Sequence, residues 1–286
     1  MRTPLNLPAV THPKELGCEV SGNGRFPNVL LLHGFMGSSA DWRDVAAATS
    51  DRALCIALDL PGHGGSLGLT PEAYTMEGTA RAVVRTLDEL ETRRPVIVGY
   101  SMGGRLALYL ALRYPERCAG LFLESASPGL ESAGEREARR AADEVKAKQL
   151  ESGDFETFLR DWYRQPLFAP LARKEGLLRR TIEARRRNDP SELARSLRGM
   201  GAGSQPSLWE ELEGLAVPAL AVAGELDGKY AGISSRMANI TPKFKPVVIP
   251  GVGHNAHDEA PAQYAALLGR FLDGLSLALG EAEPVP

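Results

Sequence analysis

Residues 99–105 read Gly-Tyr-Ser-Met-Gly-Gly-Arg, and they stand between the apolar run at 95–98 and the helix-forming run at 106–110. This order predicts a strand, a sharp turn that carries Ser101, and a helix. Glycines stand two residues on either side of Ser101, which is the G-x-S-x-G spacing of a nucleophile elbow. In such an elbow a strained turn lifts a hydroxyl above the edge of a sheet. An ordinary glycine turn with a surface serine has the same local pattern, so the surrounding sequence must decide between the two.

The composition is that of a globular chain with a large core. The chain has 286 residues, of which 43% are hydrophobic and 24% are charged. The formal net charge of -3 gives no sign of nucleic-acid binding. No stretch approaches the roughly 18 uninterrupted apolar residues of a membrane span, and residues 1–17 contain no apolar segment of the signal-peptide type. We therefore expect neither a nucleic-acid partner nor a membrane span.

The three cysteines, Cys18, Cys55 and Cys118, are an odd number. Two of them lie in or beside apolar, strand-like runs, which favours packed thiols over a disulfide framework. Unpaired thiols suit a reducing compartment, so we expect a cytoplasmic protein. The histidines are scattered, and neither an H-E-x-x-H motif nor a cysteine cluster is present, so no metal and no cofactor are expected.

Short apolar runs alternate with helical patterns along most of the chain. The strand-like runs lie at 29–32, 53–58, 96–98, 121–123, 219–223 and 246–249, and helical patterns lie at 76–92, 105–114 and 261–275. Such alternation predicts an α/β fold in which helices cover both faces of a mostly parallel central sheet. Binding residues in these folds follow the carboxyl ends of the strands.

The alternation is interrupted once. From about residue 127 to 206 the patterns are helical, as at 135–150 and 155–163, and no convincing strand is present. We interpret residues 127–207 as a helical cap inserted into a core made of residues 1–126 and 208–286. A second, independent helical domain is the alternative, but strands of one sheet flank the segment and favour a cap.

Two further polar residues follow strands in the order that an elbow requires. Asp227 comes just after the run at 219–223, and His254 comes just after the next run. The chain order Ser101, Asp227, His254 is that of hydrolases with this elbow. In such a triad the histidine accepts the serine proton and the carboxylate orients the histidine. Either residue alone is compatible with an ordinary loop, and Glu225 is a rival acid, but Asp227 sits deeper in its loop.

The loop that begins at His33 follows the first predicted strand of the core. In the elbow hydrolases this loop supplies one backbone N–H of an oxyanion hole, and the residue after the nucleophile supplies the other. Phe35 and Met102 are therefore the candidate donors, and His33 is expected to brace the loop. The glycine-rich turn at 59–66 lacks the Gly-Lys-Ser/Thr ending of a phosphate-binding loop, so we interpret it as structural.

These motifs cover nearly the whole chain and resemble the α/β hydrolase fold family. A closer resemblance is to the 2-succinyl-6-hydroxy-2,4-cyclohexadiene-1-carboxylate (SHCHC) synthases of the menaquinone pathway. It rests on Arg105, Ser127-Pro128-Gly129-Leu130, Asp161-Trp162-Tyr163, Gln165-Pro166, Gly253-His254-Asn255-Ala256-His257, and residues 59–66 and 203–209.

The resemblance implies a lyase in which Ser101 accepts a proton beside a ketone, assisted by His254 and Asp227, and pyruvate is eliminated from an enolpyruvyl ether. It also implies a small polycarboxylate substrate, bound by Tyr100, Arg105, Arg139, Trp162 and Arg186. Arg105 lies one helical turn after Ser101 and should line the same cavity. Arg186 has an arginine on each side, and a shift of one residue would change which of the three points inward.

Charge is distributed unevenly between cap and core. Residues 128–207 hold 16 Lys plus Arg and 13 Asp plus Glu, whereas the rest of the chain holds 17 and 23. A basic cap suits a substrate with several carboxylates, because guanidinium groups bind carboxylates bidentately. A solvated helical face is the ordinary explanation for any single arginine of the cap.

Two other functions are compatible with the same motifs. A serine hydrolase acting on an ester, a thioester or a carbon–carbon bond would use the triad through an acyl intermediate and a largely apolar pocket. A noncatalytic ligand-binding module is the second alternative, since a fold does not fix a function. The sequence does not indicate the oligomeric state.

Overall fold

The computed structural model describes residues 16–23 and 28–280. The expected absence of a signal peptide concerns residues that lie almost wholly outside this range. The strands found in the described residues are β1 Cys18–Gly22, β2 Val29–Leu32, β3 Leu54–Leu58, β4 Val96–Tyr100, β5 Gly120–Glu124, β6 Ala219–Gly224 and β7 Phe244–Ile249. They form one sheet in the order β1-β3-β2-β4-β5-β6-β7. Only the pairing of β1 with β3 is antiparallel, which confirms the predicted, mostly parallel sheet.

Helices follow most of the strands, as predicted. They are α1 Arg43–Thr49, α2 Met76–Glu89, α3 Met102–Arg113, α4 Ala133–Ser152, α5 Phe155–Tyr163, α6 Ala169–Ala172, α7 Glu175–Arg185, α8 Pro190–Met200, α9 Gly228–Ile240, α10 Ala256–Glu259 and α11 Pro261–Gly280. The six strands predicted from apolar runs agree with β2 to β7 to within two residues at each end. The short edge strand β1 was not predicted, because its residues lack an apolar run.

The sheet is buried on both faces by apolar clusters. Leu30 packs in the cluster that contains Leu106 of α3, whereas its neighbour Leu31 packs in the cluster that contains Tyr264 of α11. Strands of a parallel sheet therefore show continuous apolar runs rather than alternation. Each fully buried leucine contributes about 1.5–3 kcal/mol relative to an exposed one, so the two clusters hold the strand ends in fixed positions.

The segment between β5 and β6 contains α4 to α8 and no strand. Capping side chains set where its helices begin: Ser132 and Glu135 form a capping box at α4, and Asp154 and Asp189 cap α5 and α8. The helices share an apolar cluster that also includes Met36 of the core. The helical character of the segment agrees with the predicted cap, whose boundaries at 127 and 207 stay a prediction.

Candidate active site

The turn between β4 and α3 consists of Ser101 alone. Its backbone has φ 50° and ψ -107°, a conformation that side chains rarely adopt. The neighbouring glycines permit it, because a Cβ at Gly103 would lie 2.1 Å from the Leu32 carbonyl oxygen. A Cβ at Gly99 would lie 2.4 Å from the Gly103 carbonyl oxygen. The chain therefore forms the strained elbow that the sequence predicted.

Ser101, His254 and Asp227 come together at the carboxyl ends of β4, β7 and β6. His254 Nε2 lies 3.2 Å from Ser101 Oγ, and His254 Nδ1 lies 2.7 Å from Asp227 Oδ2. His254 is 2% exposed and Asp227 is 5% exposed, so water has little access to this pair. Glu225, the rival acid, is exposed and accepts the Gly251 N–H at 2.9 Å instead. At this distance Ser101 Oγ can transfer its proton to His254 Nε2.

Two neutral histidines brace the loop after β2. The Leu60 N–H donates to His33 Nε2 at 2.9 Å, and the Met36 N–H donates to His63 Nε2 at 3.0 Å. Burial lowers the pKa of His33. Burial is also the main reason that the pKa of His63 falls to about 3, and repulsion from the protonated form of His33 is a smaller one. Both rings therefore stay uncharged at neutral pH and act as fixed acceptors. This agrees with the structural role predicted for His33.

The two candidate oxyanion donors lie beside the elbow. Met102 is the first residue of α3, where a backbone N–H has no partner within the helix. Phe35 precedes Met36 in the braced loop, and in the described part of the chain its N–H has no acceptor. Both donors are held by rigid neighbours, as stabilisation of a developing negative charge requires. Their role stays a prediction.

Arg105 is partly buried on α3, one turn beyond the elbow. Its Nη1 donates to Gln205 Oε1 at 3.1 Å, and no carboxylate in the described residues lies within ion-pair distance. The pKa of Arg105 is lowered to about 10, mainly by burial; Tyr230 opposes this shift, Arg139 adds to it, and Asp143 opposes it. A buried guanidinium without a counter-ion is costly, which suggests that an anionic ligand supplies the missing charge.

Arg139 on α4 lies close enough to Arg105 and Tyr230 for its charge to affect both. Its Nε donates to Asp143 Oδ1 at 2.8 Å, and among the residues that the structure describes neither Nη group has a hydrogen-bond partner. Its charge contributes to the lowered pKa of Arg105. Burial raises the pKa of Tyr230, and the charge of Arg139 reduces this rise. The Tyr230 ring lies 4.9 Å from the His254 ring, so Tyr230 connects the triad with the two arginines.

Sequence reasoning missed two members of this group. Asp143 lies four residues after Arg139 on a predicted helix, and that spacing could have identified it as a partner. Tyr230 lies three residues after Asp227, at the start of α9, but no sequence pattern marks its ring as lying against His254.

The two predicted aromatic residues have different positions. The Trp162 ring lies 5.2 Å from the Phe35 ring, and Phe168 lies between Trp162 and His254. Trp162 therefore packs against the loop that follows β2. Tyr100 is buried beneath His254 and donates its hydroxyl to Asn255 Oδ1 at 2.7 Å. Its hydroxyl is thus engaged in holding the histidine loop.

Arg186 does not lie in the pocket, contrary to the prediction. It is exposed and pairs with Glu156, at 2.7 Å, and with Glu183. Arg185 is the inward-facing residue, and it donates to both carboxylate oxygens of Asp41 at 2.7 and 2.8 Å. Successive residues on a helix point about 100° apart, so a shift of one residue exchanges a buried arginine for an exposed one.

Much of the basic charge of the cap is neutralised within the cap itself. Its internal ion pairs join Arg198 to Glu144 and Glu151, Arg195 to Glu192, and Arg164 to Asp161. The pairs of Arg198 and Arg164 lie at the surface, where such pairs contribute little to stability. The excess of arginine over the whole cap is therefore a weaker argument for an anionic substrate than Arg105 and Arg139 are.

Two absences concern the described residues only. Within 16–23 and 28–280, no group of three or more His, Cys, Asp or Glu side chains is placed to hold a metal ion. Over the same part of the chain no helix has the length and apolar character needed to cross a bilayer. Cys55 and Cys118 are buried free thiols.

Comparison with known proteins gives a consistent result. The family model described as alpha/beta hydrolase fold matches residues 27–261. A relative from Enterobacter sp. (strain 638), named 2-succinyl-6-hydroxy-2,4-cyclohexadiene-1-carboxylate synthase, is 33% identical over 252 residues, which are 88% of this chain and 94% of the relative.

Two solved structures extend the comparison. The structure of MenH from S. aureus superposes with a TM-score of 0.86 at 32% identity, and the match covers 91% of this chain and 98% of that one. A thermophilic esterase from Thermogutta terrifontis, with malate bound, gives a TM-score of 0.78 at 26% identity, over 91% of this chain and 93% of the esterase. One fold therefore carries both a menaquinone-pathway protein and an ester hydrolase among these neighbours.

Proposed function

The chain belongs to the α/β hydrolase fold family, and we propose that within it the protein is a carbon–oxygen lyase of the SHCHC synthase type. Its proposed substrate is 2-succinyl-5-enolpyruvyl-6-hydroxy-3-cyclohexene-1-carboxylate, and its products are SHCHC and pyruvate. The observation that carries the proposal is the placing of Arg105, without a carboxylate partner, one helical turn from an assembled Ser101–His254–Asp227 array.

The substrate has three carboxylates, and the pocket has cationic groups that can bind them. Arg105 offers the edge of its guanidinium that Gln205 does not occupy, and Arg139 offers the two Nη groups that Asp143 leaves available. Bidentate binding of carboxylates by arginine is strong and directional. A pocket for a short-chain ester would be largely apolar and would have no use for two such groups.

Proton abstraction would begin at the ring carbon beside the succinyl ketone. Ser101 Oγ accepts this proton as it transfers its own to His254 Nε2, and Asp227 stabilises the resulting imidazolium. The electron pair shifts along the ring double bond, so that the carbon–oxygen bond to the enolpyruvyl group breaks. The departing enolpyruvate takes up a proton and becomes pyruvate. The ring that remains is a conjugated diene.

Negative charge develops on the ketone oxygen during this step. The backbone N–H groups of Phe35 and Met102 are the donors proposed to stabilise it, because the charge of an enolate resembles that of a tetrahedral oxyanion. No covalent acyl-enzyme and no cofactor are needed. The braces from His33 and His63 keep the loop donor in place, since both rings remain neutral.

Pyruvate release tests the proposal directly. Purified protein is incubated with the enolpyruvyl cyclohexene substrate, and pyruvate is followed through NADH consumption by lactate dehydrogenase. Ser101→Ala should lower the rate by at least about a thousandfold, whereas Ser235→Ala, on the exposed face of α9, should leave it unchanged. Parallel assays use a p-nitrophenyl ester, because the esterase neighbour makes a serine hydrolase the second candidate. Rapid ester turnover without pyruvate release would establish the hydrolase instead.

A further inference from the structure

A buried pair of charged side chains lies directly behind the triad. Glu124, the last residue of β5, is 0% exposed, and His257 on α10 is 3% exposed. His257 Nδ1 lies 2.9 and 2.8 Å from the two carboxylate oxygens of Glu124, and the His257 backbone N–H donates to Glu124 Oε1 at 3.1 Å.

The His257 ring is an imidazolium at neutral pH. Burial by itself lowers the pKa of His257, but the charges of Glu124, Asp258 and Asp41 outweigh it and raise the pKa to about 9. Asp258 Oδ2 lies 3.8 Å from the second ring nitrogen, Nε2. The pair is therefore ionic throughout the range in which most enzymes work.

Other elements enclose the imidazolium on its remaining sides. The Trp42 ring stacks on it at 4.8 Å, the Tyr100 ring meets it edge-on at 4.8 Å, and the Tyr264 ring lies 6.0 Å away. Asp41 is itself paired with Arg185, so its charge is largely compensated. Glu124 is thus the principal counter-ion.

The pair connects the two halves of the triad. The Glu124 backbone carbonyl accepts the Ser101 N–H at 2.9 Å, while its carboxylate holds α10, which begins two residues after His254. Tyr100, which precedes the nucleophile, contacts the rings of both His254 and His257. One side chain therefore fixes the serine turn through its backbone and the histidine loop through its carboxylate.

A buried ion pair is a poor way to gain stability, since apolar side chains of similar volume often do as well or better. Groups of this kind are concentrated at functional sites. We propose that Glu124 and His257 are positioning residues that hold Ser101 Oγ and His254 Nε2 at reacting distance as long as the pair is charged. The inference rests on the proposed function only in requiring that Ser101 and His254 act together.

Removing the charge without removing the side-chain bulk tests the inference. In His257→Gln and Glu124→Gln we expect kcat for pyruvate release to fall about 10- to 100-fold with little change in KM, as for a small misplacement of reacting groups. Glu192→Gln is the matched control: this buried carboxylate of α8 accepts the Tyr74 hydroxyl and pairs with Arg195, and it has no contact with Glu124 or His257 in the described residues. It should change the melting temperature but not kcat.

The pH profile distinguishes positioning from general support of the fold. The wild-type kcat should fall as the pH rises through about 9, where His257 loses its charge, and both glutamine variants should show a low kcat without this step. Arg105 loses its charge near pH 10, and because it is expected to bind a substrate carboxylate, this loss should raise KM rather than lower kcat. A wild-type kcat with no step near pH 9, or a folded His257→Gln protein with wild-type kcat, would overturn the inference.

Failure of the proposed function would look different. If the wild type releases no pyruvate, the rate at which a fluorophosphonate labels Ser101 replaces kcat as the readout, since labelling also requires the Ser101–His254 pair. The same step near pH 9 and the same loss in both variants are expected. If the variants do not fold, the wild-type profile and the NMR titration of His257 decide: a midpoint below about 7 would overturn the inference.

Discussion

Replacing Arg105 with methionine should make the protein more stable and at the same time much weaker in binding its substrate. Methionine keeps an unbranched apolar stem of similar reach but removes a guanidinium that has only Gln205 as a partner. The two effects have a single cause: the buried charge is unfavourable in the free protein and favourable when a substrate carboxylate pairs with it.

The structure sets the size of the stability effect. Burial is the main reason that the pKa of Arg105 falls to about 10, from an ordinary arginine value of about 12.5, and this difference corresponds to roughly 3 kcal/mol. Arg105 is only partly buried, and the variant also loses a hydrogen bond, so the net gain should be about 1–2 kcal/mol. For a chain of this size that is an increase of about 2–6 °C in melting temperature.

The effect on activity has the opposite sign. Removing one partner from a desolvated, hydrogen-bonded charge pair costs about 2–4 kcal/mol, which is roughly a 30- to 1,000-fold loss in kcat/KM. Most of the loss should be in KM, since Arg105 does not touch the reacting proton. Thermal unfolding gives the stability, and coupled pyruvate release gives the kinetic constants.

Arg186→Met is the matched control, because the sequence analysis predicted the same substrate-binding role for Arg186. Arg186 is exposed and paired with Glu156 and Glu183, so its replacement should leave KM unchanged and have little effect on stability. If Arg105→Met lowered the melting temperature and preserved KM, the guanidinium would be a structural group and the polycarboxylate pocket would be wrong.

Three further variants test other parts of the structure. Asp227→Asn should lower kcat for pyruvate release by about 10⁴-fold without unfolding the protein, because the amide favours the wrong tautomer of the triad histidine. Gly103→Ala should prevent formation of the elbow, since its Cβ would lie 2.1 Å from the Leu32 carbonyl oxygen, and urea unfolding should show a loss of several kcal/mol. Asp41→Asn should cost about 3–5 kcal/mol in guanidinium unfolding because Arg185 is left as a buried, unpaired charge, and adding Arg185→Met should restore most of that loss.

The residues that could be predicted from sequence are those whose role depends on local geometry. Ser101 was recognisable because only glycines tolerate the contacts around its turn. Asp227 and His254 were recognisable because each directly follows an apolar strand, and parallel strands bring their carboxyl ends to one edge of the sheet. The predicted strands agreed with the structure for the same reason, since burial on both faces leaves an unbroken apolar run.

The residues that could not be predicted depend on partners far away in the chain. Arg185 is buried because it meets Asp41, which lies 144 positions earlier, and nothing near Arg185 distinguishes it from Arg186. Glu124 and His257 are 133 positions apart, and each alone is compatible with an ordinary loop or strand end. The edge strand β1 was missed because backbone hydrogen bonds to β3 hold it in place, and these leave no apolar run in its sequence.

The net charge of the cap is a poor guide to a binding site for the same physical reason. A count of arginines weighs Arg198, which binds two glutamates at the surface, equally with Arg139. A binding arginine differs from a surface arginine in having no carboxylate partner within the protein. Which arginines have such a partner depends on tertiary structure. Arg105 adds no charge to the cap, because it lies on α3 of the core, yet within the described residues it is a partly buried cation without a carboxylate partner. An anionic substrate is therefore better inferred from one unpaired, partly buried guanidinium than from the net charge of eighty residues.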